Sequence, residues 1–234
     1  MQLPLIKAAI LLVALSYGQV LAAAPFAYIS NQLDDSVSVI DTQSGQVVDT
    51  IVVEGKPAGV AASPDGNKVY VSTPEADSFA VIDTKQRKVI AKVKVSEGLL
   101  GIAVSPDSKH IYVADWYNNS VSDIDADSLK ITGTIAVGQS PSGLMVSPNN
   151  HWLYVANRLD NSVSKIDTRK LAVVKKVQVG EHPFGLTLDI RGDRLYVANV
   201  KSDDVTVVET LTMKVLATVK VNMLPYATAL ALND

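Results

Sequence analysis

One phrase is written five times along this chain: "YISNQLDDSVSVIDT" from Tyr28, "YVSTPEADSFAVIDT" from Tyr70, "YVADWYNNSVSDIDA" from Tyr112, "YVANRLDNSVSKIDT" from Tyr154 and "YVANVKSDDVTVVET" from Tyr196. The opening tyrosines stand 42 residues apart at every step, and so do the closing acids Asp41, Asp83, Asp125, Asp167 and Glu209. Gly59, Gly101, Gly143 and Gly185 keep the same interval, and Ala227 fills the next place. A unit of this size cannot bury an apolar face alone, so a fixed period demands an array in which each unit packs on its neighbours.

Each period contains four strand-like runs separated by turn signals. In the second they are "GVAAS", "KVYVS", "SFAVIDT" and "VIAKVKV", rich in Val, Ile, Tyr and Thr. The "SPDG" of Ser63 to Gly66 reads as a tight turn with its glycine at positive φ. The acid of "IDT" suits a bond to its own backbone two residues on, closing the following turn. Four short antiparallel strands in about 40–45 residues define a propeller blade.

Polarity orders the strands within a blade. The run after "PxG" is apolar almost throughout, so it is innermost and covered on both faces; the last run alternates, with Lys92 and Lys94 flanking Val93, as an outer strand with one wet face does. Named A to D from the inside out, the strands follow chain order. Residues 25–234 hold five whole periods, beginning with B, C and D and ending on "PYATALALND", a lone strand A. The expected architecture is therefore all-β: a five-bladed β-propeller of four-stranded antiparallel blades, closed by the C-terminal strand A joining N-terminal strands B, C and D.

Before this domain stand Lys7, the apolar run "AAILLVAL" and the small residues "VLAAAPF", which read as a secretory signal peptide over residues 1–22. The run is shorter than the roughly 20 apolar residues that span a bilayer. The mature chain is thus expected in the periplasm or outside the cell, with no membrane insertion. It has no Cys, so core burial alone must hold the fold. Without Lys7, 20 basic side chains face 24 acidic ones, which is no polyelectrolyte signature.

"YVAN", "SVSVIDT" and "SPDG", in this order and spacing, resemble the YVTN repeat of bacterial and archaeal β-propellers across the whole expected mature chain. The resemblance implies a propeller fold, export, and a binding or surface-layer role without catalysis. It also implies nucleic acid as a partner class, and redox enzymes as assemblies that use such lobes. Members of that family usually carry seven blades, so a seven-blade site is not transferable to five.

Positions alike in every repeat serve the fold: the tyrosines, the "IDT" acids and Asn31, Asn157 and Asn199. Positions that differ on a shared rim are free for function. The D-to-A and B-to-C loops share the rim around the channel mouth, and there Lys56, Trp116, Tyr117, Arg158, His182, Phe184 and Tyr226 break the symmetry. Aromatics stack flat ligands and cations pair anions, so an unidentified protein, glycan or small ligand is the expected partner of this face. Trp152, on the opposite rim, reads as a capping contact.

His110 and His151 fall on the rim opposite His182, so no metal site and no cofactor is expected. Glycosidase chemistry needs two carboxylates about 5–10 Å apart. The nearest pair is Glu97 and Glu181, at equivalent D-to-A positions two blades apart, against the reading of two solvated loop acids. The chain is expected to be a non-catalytic binding scaffold, with an accessory subunit of a periplasmic redox or envelope complex as the alternative and a glycoside hydrolase third.

Overall fold

The computed structural model describes residues 26–231, and the regular elements among them are strands apart from one short 3-10 turn at Pro74–Ala76. The expected signal peptide lies outside the described residues. Blade I holds β1 (Phe26–Asn31), β2 (Ser36–Asp41) and β3 (Gln46–Val52); blade II holds β4 (Val60–Ala62), β5 (Lys68–Thr73), β6 (Ser78–Asp83) and β7 (Lys88–Lys94). Blade III holds β8 (Leu99–Val104), β9 (His110–Asp115), β10 (Ser120–Asp125) and β11 (Ile131–Ala136). Blade IV holds β12 (Pro141–Val146), β13 (Trp152–Asn157), β14 (Ser162–Asp167) and β15 (Ala172–Gln178). Blade V holds β16 (Pro183–Leu188), β17 (Arg194–Asn199), β18 (Asp204–Glu209) and β19 (Lys214–Lys220). Within each blade the strands pair antiparallel in chain order, as the polarity pattern requires.

The repeated residues build the turns. Asp41 Oδ1 accepts from the amides of Gln43 (2.8 Å) and Ser44 (2.9 Å), and Asp83 and Asp167 do the same one period and three periods on. These bonds hold the Asp41 carboxyl below the usual carboxylate range. The position after "SPD" adopts positive φ in blades II to V, at Gly66, Ser108, Asn150 and Gly192. Asn157 Nδ2 donates to Ser162 Oγ (3.0 Å) and Ser164 Oγ (2.9 Å), clamping the B and C strands of its blade; Asn31 and Asn199 repeat the clamp.

Strand alternation decides which blade each residue faces. Val69 and Val71 of β5 pack toward Val37, Val39, Ile51 and Val53 of blade I, whereas Tyr70 and Phe79 pack toward Leu99, Ile111 and Val113 of blade III. Blades III and IV, and IV and V, share cores of the same kind. The inner strands approach closest at their glycines. A Cβ on Gly59, Gly101, Gly143 or Gly185 would collide with the carbonyl oxygen of Leu100, Ser142, Phe184 or Tyr226, the residue before the next period's glycine or its counterpart. The "PxG" glycine is therefore demanded by backbone-to-backbone contact, not by a turn.

Tyr226 takes part in that series, so the tail lies at an inner-strand place. Leu224 adopts positive φ and its amide donates to Asp203 Oδ1 (2.9 Å), repeating the turn that begins β12 and β16. Thr187 Oγ1 of β16 then donates to Thr228 O (2.6 Å). The junction of the tail with blade I includes residues 25 and 232–234, which lie outside the described residues. Among the described residues the tail forms no ladder with β1, and blade I remains three-stranded. No apolar cluster joins blade V to blade I among those residues either. Ile29 is 46% exposed and Val219 50%, where their repeat equivalents Val71 and Ile135 are 0% and 2%.

Candidate functional site

The channel rim is assembled by hydrogen bonds between its two loops. Trp116 N donates to Gly98 O (3.1 Å), Arg158 N to Ser140 O (3.1 Å) and Val200 N to His182 O (3.0 Å), so the B-to-C loop of each of these blades is tied to the D-to-A turn preceding it. The D-to-A position before proline is left-handed in blades II to V and at the tail: Lys56, Gly98, Ser140, His182 and Leu224 all have φ between 52° and 71°. Their amides are fixed where a side-chain acceptor is supplied, for Lys56 by Asp35 Oδ1 (2.8 Å) and for His182 by Asn161 Oδ1 (2.9 Å). The backbone here is uniform and only the side chains vary.

Four of the seven expected site residues line the mouth. Phe184 and Tyr226 meet edge to face (ring centroids 5.5 Å apart) beside a cavity of about 480 Å³. Trp116 and Tyr117 line a smaller recess of about 260 Å³ that shares Gln32 and Leu100 with it. Asp115 holds this loop: its Oδ1 accepts from the amides of Tyr117 (3.1 Å) and Asn118 (2.8 Å). The Tyr117 ring lies against Gly98, where a Cβ would strike it.

Arg158 stands over Trp116, 5.4 Å from guanidinium carbon to ring centroid, and backs the aromatic rather than lining the cavity. Burial, then the Arg158 and Lys201 charges, hold the His182 imidazole below its ordinary value against the pull of Glu181. Lys56 is not brought to the mouth. Its ammonium pairs with Asp35 (3.1 Å); the Lys56 amide first, then that ammonium and the Gly55 amide, keep the Asp35 carboxyl low. Glu181 pairs with Lys201 (3.0 Å), Glu97 is exposed, and neither lines the cavity.

The main cavity is lined by Ser30, Gln32, the inner-strand glycines, Phe184 and Tyr226, without a carboxylate, imidazole, lysine or arginine. Chemically this surface offers ring faces, hydroxyls and a side-chain amide.

Two chemically distinctive residues lie elsewhere and escaped a comparison confined to loops. The position before "ID" on the third strand is Val39, Val81 and Val207 in three blades, but Asp123 and Lys165 in the adjacent blades III and IV. Both are buried, at 2% and 6% exposure. Asp123 is satisfied by His110 Nδ1 (2.9 Å) and Thr132 Oγ1 (2.7 Å). Lys165 Nζ donates to Thr210 O (2.7 Å) and stands 4.1 Å from the centroid of Trp152. Trp152 thus shields an ammonium as well as capping a rim, and His151 meets it edge-on at 4.2 Å. Reading the strand interiors repeat against repeat reveals both substitutions.

The five sheets and their radial order define a β-propeller. A model described as "Lactonase, 7-bladed beta-propeller" matches residues 102–229, more than half of the chain, and the chain belongs to that family. A model described as "YNCE-like beta-propeller" matches residues 17–102. No curated protein matches the sequence. Among solved structures the chain is similar to a Kuenenia stuttgartiensis hydrazine synthase chain (19% identity, TM-score 0.68, covering 88% of this chain and 86% of that one). It is also similar to a functionally unknown protein from Desulfotomaculum acetoxidans (20% identity, TM-score 0.76, covering 87% and 68%). At these identities the likeness shows the fold alone. Among the described residues no helix is long and apolar enough to cross a membrane, and no group of three or more His, Cys, Asp or Glu is placed to hold a metal.

Proposed function

We propose that the protein is a non-catalytic binding scaffold whose channel mouth takes a neutral partner with a flat face, a glycan or a planar small molecule, or the apolar side chain of a protein. The observation that carries this reading is the convergence of Phe184, Tyr226, Trp116 and Tyr117 on contiguous recesses whose larger cavity has no ionised side chain in its lining. Arg158 braces Trp116, and His182 tunes the rim with pH. The repeats resemble the YVTN type, and the apolar N-terminal run supports export to the periplasm or beyond.

The test is a screen of oligosaccharides and planar aromatics by melting temperature, because a ligand that binds only the folded form raises apparent stability. Replacing Trp116 and Phe184 together by Ala should abolish the shift produced by any hit. A hit that still raises the melting temperature of the double variant by the same amount refutes the assignment of this face.

The likeness to a hydrazine synthase chain favours a second reading, a docking platform within a larger redox or envelope complex. Copurification from the native envelope separates the two, since a free ligand-binder elutes alone. The lactonase description makes a panel of lactones a direct check of the non-catalytic reading. Hydrolysis that survives purification and disappears on a change at the mouth would overturn it. Glu97 and Glu181, each at the solvent and one already paired, give no support to glycoside hydrolysis.

A further inference from the structure

On the rim away from the mouth, a cleft of about 650 Å³ opens between blades IV and V. Its floor is Lys165. The ladder of β14 and β15 places Lys165 directly opposite Lys175, and like charges facing each other across an antiparallel pair are destabilising. Arg191 adds a third cation at the edge, against one acid, Asp193, with which it pairs (3.2 Å). The ordinary occupant of the Lys165 position is valine, which would remove the repulsion and fill the core. A costly buried cation replaces it here.

The cation is held but not neutralised. Lys165 Nζ has Thr210 O and the face of Trp152, and no carboxylate pairs with it among the described residues. Lys175 Nζ donates to a backbone carbonyl, Thr212 O (2.5 Å). An ammonium has three donors, so capacity remains. Burial, followed by the charge of Lys175, pushes the Lys165 amine below its usual range, as expected of a cation with no counter-ion. Pro148, Trp152, Val174 and Leu211 give the same cleft apolar walls.

From this juxtaposition we infer that the cleft between blades IV and V is a second binding site, for an anionic headgroup carried on an apolar chain, with Lys165 and Lys175 taking the charge. A fatty carboxylate and an alkyl phosphate share that chemistry. The site is independent of the channel mouth, so either reading stands if the other fails.

The test uses the full mature chain with Trp116→Phe, which leaves Trp152 as the sole tryptophan and its fluorescence as the reporter. Octanoate and octyl phosphate are titrated against octanol and inorganic phosphate. Saturable quenching by either amphipathic anion, at least tenfold tighter than by octanol or by inorganic phosphate, is the expected result. Which of the two binds more tightly identifies the headgroup. Lys165→Met keeps the side chain's length without its charge and should weaken binding at least tenfold while the melting temperature holds or rises. Lys175→Gln, at the exposed edge, should weaken it severalfold in a fold left intact. No saturable binding, equal binding of octanol, equal binding of inorganic phosphate, or unchanged affinity in both variants overturns the assignment. So does a fall in melting temperature of Lys165→Met with affinity retained, which would make the lysine a purely structural partner of Thr210.

Discussion

Gly101→Ala is the sharpest probe of how the inner strands meet. A Cβ there would lie deep inside the 3.0 Å that real Cβ atoms keep, and the atom it meets is the backbone oxygen of Ser142 in the next blade. Backbone cannot rotate aside, so β8 and β12 must part. The neighbouring bond from Ser142 Oγ to Pro183 O (3.2 Å) would be disturbed with them. Overpacking a well-filled interior costs ~1–3 kcal/mol, and a backbone obstacle puts this substitution near ~3 kcal/mol. For a chain of this size each kcal/mol lowers the melting temperature by about 2–4 °C, so calorimetry should show a loss of roughly 6–12 °C. Gly185→Ala makes the same collision with Tyr226 O, but there the obstacle is a tail that, among the described residues, forms no strand ladder. It can swing away, and the expected cost is only about 1 kcal/mol, or roughly 2–4 °C. Gly45→Ala is the control: positive φ, nothing within 4 Å, and Arg87, Leu129 or Leu171 at the equivalent turn in other blades. An unchanged melting temperature for Gly101→Ala would refute the close approach. Equal losses for Gly101→Ala and Gly185→Ala would refute the looser hold on the tail.

Four further outcomes are expected. His182 should titrate below 6.5 by NMR, and Arg158→Gln should raise its pKa. Because the folded value is depressed, the neutral form favours folding. This contribution is present above about pH 6.5 and is lost as the pH falls through the folded pKa, so a titration above 6.5 refutes the sign. His110→Ala leaves the buried Asp123 carboxylate one partner short and should cost about 1–3 kcal/mol in urea unfolding. Asp123→Val, which restores the residue of three other blades, should change stability by less than about 1 kcal/mol, and a large loss would make the Asp123–His110 pair a net stabiliser. Gly98→Ala places a Cβ at positive φ and into the Tyr117 ring; the expected loss is about 1–2 kcal/mol, with weaker binding of any ligand of the mouth.

Most of the architecture was legible because a period of 42 residues leaves few solutions, and because a blade's inner and outer strands differ so plainly in polarity. The turn role of the "IDT" acids followed from the chemistry of Asp alone. Less was legible wherever the deciding partner lies in another loop or another blade. Lys56 stood out as a rim cation, yet its charge is taken by Asp35, 21 residues earlier. The "PxG" glycines were seen as regular, but the carbonyl that forbids a Cβ belongs to the next repeat. The aromatics at the mouth were found because they break symmetry on loops. Asp123 and Lys165 break it on strands, where a single charged residue among valines is masked by an otherwise perfect phrase.

Among the described residues the apolar cores run from blade I to II, II to III, III to IV and IV to V. Blades II, III and IV thus have both faces covered, and their stabilities are coupled through shared cores. Amide exchange should therefore be slowest in these three central blades, where tertiary packing covers both faces of each sheet.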